Sequence, residues 1–484
     1  VAVPSLHHDP RDVALYAAIF LLAIVRALVA VDFGLTDDEA YYRLWALAPA
    51  LSYLDHPPMV AWLIAAGQWV AGDSLLGVRL PAIVVSAIGP LILWRTAGNL
   101  LRSQTARHAV WVLLAMPLMA VGGVIMTPDV PSVLFWALAL WALSELNVSR
   151  NANWWLAIGL FAGLGLLSKY TNAFLGAGIL LWLALVPANR RWFSSWQLWA
   201  GGLLAVALTT PVLIWNAQHG YASFAKQFGR AVRGHGLTLL YLAELVGAFA
   251  LLASPILAIA ALIGFAHIVL SPVHRRDPRQ ALIVATVVPL VAYMLVHTLH
   301  SRVQANWPAP VYPAFAMCAA SILSASAQRF RWLGIAALAL GFASTAFIYT
   351  HAISPLAALG SVKDPTVQTR GWPDFAREMD DVRIEHGACR IVTSSYATTS
   401  QLAFYLKNQA LVAQLDQPLR YVHLPPADRD MDCPALYVEI ERRQSPALLR
   451  AHFDKMSEIG TFTRAAGGEV LARYRVLLGD ARRR

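Results

Sequence analysis

"DVALYAAIFLLAIVRALVAVDFGLTDDEAYYRLWALAPALSYLDHPPM" (residues 12–59) sets a membrane-length apolar run against three consecutive acids. The run over 12–33 is long enough to cross a bilayer as a helix. No small-residue cleavage pattern follows it, so it reads as a retained helix and not a removed signal. The acids admit two readings. Thr36-x-x-Glu39 has the spacing of a capping box, in which each side chain satisfies the other's backbone N–H, with Asp37 and Asp38 complementing the helix dipole. The other reading places them at the membrane boundary for chemistry.

Composition decides the class. Of 484 residues 58% are hydrophobic and only 14% charged, with 17 tryptophans and a mean hydropathy of +0.53. A soluble core does not need that much apolar surface, so the chain is a polytopic, α-helical integral membrane protein. The net charge of +10 does not point to nucleic acid, because the arginines fall in short connections between apolar runs, where membrane orientation explains them.

Spanning stretches run over 12–33, 80–100, 108–127, 130–147, 154–169, 172–187, 197–215, 240–270, 281–299, 310–326 and 332–351, about eleven transmembrane helices. Arg102 and Arg107, Arg150, Arg190 and Arg191, Arg275, Arg276 and Arg279, then Arg329 and Arg331 mark alternate connections as cytoplasmic. The N-terminus is then cytoplasmic and everything after 351 lies on the outer face. For a bacterial chain this means a multi-pass inner-membrane protein with a periplasmic tail.

The sequence divides into a transmembrane domain over 1–352, with a large first outer loop at 34–79, and an outer-face soluble domain over 353–484. "CRIVTSS" reads as a buried strand, "TSQLAFYLKN" as an amphipathic helix and "PALYVEIE" as another strand, so this C-terminal domain is α/β. Cys389 and Cys433 both fall in it and can pair if it faces an oxidising compartment. No catalytic constellation stands out there, and a structural or acceptor-docking role is favoured.

Ionisable groups near bilayer depth are costly, so where they collect is informative. They collect outside. The first outer loop has an amphipathic helix over 37–48 and an apolar one opening at Pro57-Pro58, both lying along the membrane surface. This loop carries Asp37, Asp38, Glu39, Arg43, Asp55 and His56; "MTPDVPS" carries Asp129; "LSKYT" carries Lys169 and Tyr170. "KQFGRAVRGHG" carries Lys226, Arg230 and Arg233, and "HSRVQANWPAP" carries Arg302. Each has a plainer reading: Asp129 as a helix N-cap, Asp55 as a turn cap, and Lys226, Arg230 and Arg233 as a solvated or lipid-headgroup face. Gly159 and Gly163 imply tight helix packing next to Lys169, turning its ammonium into the bundle. Near Asp55-His56 no further His or Cys stands at zinc spacing, and no P-loop, nucleophile elbow or HExxH occurs. The pattern fits chemistry on a lipid-linked phosphate.

"DDEAYYRLW", "SYLDHPPMVAWL", "TPDVPSVLFWALAL", "GLGLLSKYT" and "ANWPAPVYP" together resemble the polytopic glycosyltransferases of the C superfold. They are most like the branch holding the protein O-mannosyltransferases and the lipid A aminoarabinose transferases. The resemblance spans about residues 12–350. It implies a metal-independent, inverting transfer of a hexose or pentose from a polyprenyl-phosphate carrier to an acceptor on the outer face, whether lipid A, another glycan or protein. It maps the essential acid onto Asp38, followed by Glu39. The aminoarabinose transferases have Glu-Lys before Pro-Pro where this chain has Asp55-His56, so the charge their lysine lends to the donor phosphate has to come from Lys169 or the fourth-loop bases.

The chemistry supports this independently. Displacing a phosphate from an anomeric carbon builds oxocarbenium character, needs a carboxylate to take the acceptor's proton, and needs cations for the leaving phosphate. The expected roles are Asp38 as base, Lys169, Lys226, Arg230 and Arg233 as phosphate clamp with Arg302 completing it, and Asp129 orienting sugar or acceptor. No cofactor is expected. Two alternatives keep the same residues. A flippase for a lipid-linked sugar would show internal repeats and midplane polar groups, and a metal-dependent oligosaccharyltransferase would hold a divalent ion between Asp38, Asp129 and Asp55.

Overall fold

The computed structural model describes residues 9–232, 236–325, 331–356, 364–408, 411–424, 433–443 and 446–480. The chain is mostly helical with a small C-terminal sheet. Among the described residues six helices are long and apolar enough to cross a membrane: Pro10–Asp32, Leu75–Leu100, Asp129–Ser149, Trp196–Gln218, Pro278–His297 and Arg331–Ile353. Two further pairs bend sharply, Tyr170–Leu185 with Pro187–Ser194 by 116° and Leu240–Leu252 with Pro255–Leu270 by 110°, giving up to eight if each is one span. The breaks sit at Pro187 and Pro255, where a missing N–H and a ring clash stop the helix from continuing.

Contacts separate the chain into two units. The first comprises Val1–Leu28, Asp55–Val60 and Arg79–Tyr349. Its core includes Trp136, Trp155, Trp182, Leu140, Leu282 and Tyr312. Helices Trp154–Leu166 and Trp196–Leu208 pack closely because a Cβ on Gly159 would collide with the backbone of Gly201. The close packing read from the two glycines is therefore present, with Gly163 facing Ala205 and Leu208.

The second unit comprises Val29–Leu54, Ala61–Val78 and Thr350–Arg484. Its sheet has strands β1 (Arg390–Thr393), β2 (Val412–Gln414), β3 (Ala435–Ile440), β4 (Met456–Ala466) and β5 (Glu469–Gly479) in the order β2-β1-β3-β5-β4. β1 is parallel to both β2 and β3, with Ile391 opposite Val412 and Leu436, while β5 runs antiparallel to β3 and β4. Helices Trp372–Glu385 and Tyr396–Tyr405 cover the sheet, and Trp372, Phe375, Met379, Leu402 and Tyr474 form the core. Leu44 of the first loop's helix Asp37–Leu47 enters the same core.

Cys389 and Cys433 form a disulfide. It ties the residue before β1 to the segment leading into β3, and Cys389 N–H also donates to the Pro434 carbonyl at 2.9 Å. The bridge closes 44 residues, a loop whose constraint on the unfolded chain is worth about 4 kcal/mol in the chain-entropy model. Cys389→Ser should therefore lower the midpoint of unfolding of the second unit and make its tail sensitive to proteolysis. An unchanged melting profile would show that the bridge holds nothing that packing does not already hold.

Candidate functional site

In the second unit the three acids have three different partners. Thr36 and Glu39 form the full capping box: Glu39 N–H donates to Thr36 Oγ1 at 3.2 Å, and Thr36 N–H to Glu39 Oε2 at 2.9 Å. Glu39 is fully buried in this role. Asp37 accepts from Gln401 Nε2 at 3.1 Å, and burial raises its carboxyl pKa despite that bond. Asp38, one residue on, is exposed and accepts at 3.1 Å from the hydroxyl of Tyr396, the first residue of helix Tyr396–Tyr405. Burial first, then the charges of Asp38 and Asp37, raise the Tyr396 pKa, so the phenol stays protonated and donates.

Around them lies an aromatic frame. Trp45 stacks on Tyr53 at 4.1 Å, Tyr41 meets the Tyr396 ring at 5.2 Å, and Arg420 lies over the rings of both Tyr41 and Tyr396. Arg43 is buried, pairs with Asp73 and donates to the Ala403 carbonyl. The helix carrying Asp38 is thus fixed from several directions while Asp38 itself faces outward.

In the first unit, the polar turns carrying Asp129, Lys169 and Asn306 converge. Asp129 is the first residue of helix Asp129–Ser149, whose N-cap is Pro128, so its carboxylate is not a cap. Instead Oδ1 accepts from Lys169 Nζ and Oδ2 from Asn306 Nδ2, each at 2.6 Å. Both charged partners are over nine-tenths buried, and Lys169 Nζ lies 5.9 Å from the Trp307 ring centre. Ser132 Oγ donates to Asn172 Oδ1 at 2.6 Å, locking the start of this helix to the turn that follows Lys169. Gly165 is required for that lock, since a Cβ there would strike the Asn172 amide.

A second cluster forms on helix Ala222–Val232. Lys226 Nζ pairs with Asp55 Oδ1 at 2.7 Å, and Gln227 Nε2 donates to the Asp55 carbonyl. Tyr170 and Ser223 share a hydrogen bond of 2.9 Å, and Tyr170 packs edge-on against Phe224. Met59 N–H donates to the Leu167 carbonyl at 3.0 Å, joining the LDHPPM turn to the LLSKYT turn. His56 follows Asp55 in the same turn and is half-buried. Among the described residues no group of three His, Cys, Asp or Glu side chains is placed to hold a metal ion.

Two of the cations expected around a phosphate are therefore engaged by carboxylates, Lys169 by Asp129 and Lys226 by Asp55. Arg302 pairs with Glu244 through two bonds of 2.6 and 2.7 Å, and more than half of its side chain is exposed. The Arg230 side chain and the whole of Arg233 lie outside the described residues. Sequence reasoning missed Asn306, Gln227 and Tyr396. Asn306 had a signal in the segment it shares with Arg302, an amide beside Trp-Pro; Tyr396, in the remote C-terminal segment, had none. Chemically, the first unit offers two carboxylates, Asp129 and Asp55, each paired with a lysine. The second offers an exposed carboxylate oriented by a phenol.

Residues 55–215 match the family model of dolichyl-phosphate-mannose-protein mannosyltransferases. The chain is 27% identical over 301 residues to the lipid A galacturonosyltransferase RgtD of Rhizobium johnstonii, covering 61% of this chain and 63% of that one. It is 28% identical over 232 residues to an undecaprenyl phosphate-alpha-4-amino-4-deoxy-L-arabinose arabinosyl transferase of Pseudomonas savastanoi, covering 43% of this chain and 41% of that one. These matches span less than two thirds of the relatives' own lengths. Among solved structures, ArnT from Cupriavidus metallidurans bound to undecaprenyl phosphate superposes with a TM-score of 0.66 at 15% identity, over 95% of this chain and 97% of that one. That likeness establishes a shared fold.

Proposed function

From the premise that this chain is a homologue of the polyprenyl-phosphate glycosyltransferases, we propose that it moves a hexosyl or pentosyl group from a polyprenyl-phosphate carrier to an outer-face acceptor, with lipid A the favoured one. The observation that carries the chemistry is the Asp38 carboxylate, exposed and oriented by the Tyr396 hydroxyl at the start of a helix held by its own capping box.

In this mechanism Asp38 takes the proton of the acceptor hydroxyl as that oxygen attacks the anomeric carbon. The carbon–phosphate oxygen bond breaks on the opposite face, inverting the configuration and releasing polyprenyl phosphate. Tyr396 positions Asp38. Glu39 has a separate task, holding the helix start. Asp129, fixed by Lys169 and Asn306, orients a sugar hydroxyl. The Asp55–Lys226 turn, with His56 and Tyr170, contacts the carrier phosphate; Lys226 turns toward the anion when it enters, and Arg230, Arg233 and Arg302 supply further positive charge.

The architecture proposed with this function has about eleven membrane passes, the two bent pairs included, with the transmembrane domain over 1–352 and the α/β domain over 353–484. The N-terminus is cytoplasmic and the tail periplasmic, as the arginine pattern and the Cys389–Cys433 bridge support. The reaction needs no resident metal: a carboxylate base and fixed cations supply what it requires. Purified protein given undecaprenyl-phosphate-linked aminoarabinose or galacturonic acid and lipid A should transfer sugar at the same rate with and without EDTA. Activity abolished by EDTA and restored by Mg²⁺ or Mn²⁺ would refute metal independence.

A further inference from the structure

The second unit contains a cavity of about 550 Å³ whose lining includes Tyr396, Asp416, Arg420 and Arg443. Its position follows from the sheet. β1, β2 and β3 are mutually parallel, and the lining comes from residues at or just beyond their carboxyl ends: Ser394 and Ser395 after β1, Gln414 and Asp416 at the end of β2, Arg443 after β3. The chain leaves β1 toward β2 on one side and returns to β3 on the other, so a crevice opens where the connections diverge, the usual ligand position in such sheets. Buried Glu439 holds this edge in shape, accepting from Ser394 N–H and Oγ at 3.0 Å each.

The lining has a definite chemistry. Two guanidinium groups, Arg420 and Arg443, suit an anion bound through paired N–H groups. Gln414, Gln417, Asp416 and the two serines suit hydroxyls, and among the described residues the lining has one aliphatic side chain, Leu448. An anion with several hydroxyls attached matches this set better than an apolar or nucleotide-like molecule. The wall also has a direct connection to the candidate base, because the tyrosine that lines the cavity, Tyr396, donates its hydroxyl to Asp38.

We propose that this cavity binds a phosphorylated saccharide, the polar head of the acceptor, with Arg420 and Arg443 on its phosphate and Asp416 and Gln414 on its hydroxyls. The inference rests on the glycosyl-transfer reading and adds a specific acceptor site to it. Occupancy would deliver a sugar hydroxyl past Tyr396 toward Asp38, so specificity for the acceptor resides in the soluble tail.

Binding is tested on the full-length protein in detergent with glucose 1-phosphate as probe, and with glucose and inorganic phosphate as comparisons. Glucose 1-phosphate should bind, inorganic phosphate about 10-fold more weakly and glucose not measurably, with undecaprenyl phosphate failing to compete. Arg443→Gln and Asp416→Asn should each weaken binding about 10-fold, equivalent to about 1.4 kcal/mol, without changing the melting temperature. In turnover, Arg443→Gln should raise the acceptor KM and leave the donor KM unchanged. Equal binding of phosphate and glucose 1-phosphate, competition by undecaprenyl phosphate, or variants that bind as wild type would overturn the inference. Binding as predicted by a protein that moves no sugar would instead overturn the transferase reading and leave the site standing.

Discussion

Lys169→Met is expected to reduce sugar transfer by about two orders of magnitude and to destabilise the membrane unit, and the second effect explains how to interpret the first. Lys169 and Asp129 are both buried and share a bond of 2.6 Å. Removing Lys169 leaves a desolvated carboxylate that keeps its bond from Asn306 but loses its counter-charge, a loss of about 3–5 kcal/mol. Asp129→Asn removes the opposite charge and strands the ammonium instead. The double variant Asp129→Asn/Lys169→Met leaves no unpaired charge at this position, so it should recover much of the lost melting temperature while remaining inactive. That split is what distinguishes a functional pair from a structural one. Recovery of activity together with stability would mean that the pair only holds the turns together.

Asp38→Asn carries the other large expectation, a fall in kcat of about 10²–10⁴-fold, the usual contribution of a positioned general base. The donor KM should change little, because the substitution is nearly isosteric and Tyr396 can still donate to the amide oxygen. Glu39→Gln, one residue away, should retain most activity and lose about 0.5–1 kcal/mol of stability, since glutamine can still close a capping box. Rates for wild type and both variants, measured on protein of matched melting behaviour, decide the point. Equal loss in both variants would refute the division of labour between adjacent acids.

Local features were legible in the sequence, and long-range ones were not. The capping box spans four residues and its geometry is set by spacing alone, so it appears as read. The packing of Gly159 against Gly201 follows from the absence of side chains, although the partner glycine could not be named in advance. Asp129 shows the limit. Beside two prolines at a helix start it reads as a cap, but its carboxylate goes to partners 40 and 177 residues away. Arg302 likewise reads as an available cation and is found on Glu244, 58 residues back. A charge near the membrane boundary can be located from hydropathy, but its partner depends on which helices come together. The third limit is the tail. Its strands and helix were readable from period and composition, while Tyr396 acquires meaning only because the first loop folds onto helix Tyr396–Tyr405 within one unit.

The central claim is that a sugar leaves a polyprenyl phosphate and is bonded to an acceptor under base catalysis by Asp38. The direct measurement uses wild-type protein and Asp38→Asn in vesicles containing undecaprenyl-phosphate-linked sugar, labelled in the sugar, together with lipid A. Wild type should move label to the acceptor with one equivalent of undecaprenyl phosphate released per sugar transferred and with inversion at the anomeric carbon, and Asp38→Asn should do so at least about 100-fold more slowly. Label that stays on the carrier while the carrier crosses the bilayer, equally in both proteins, would contradict the claim and identify a transporter.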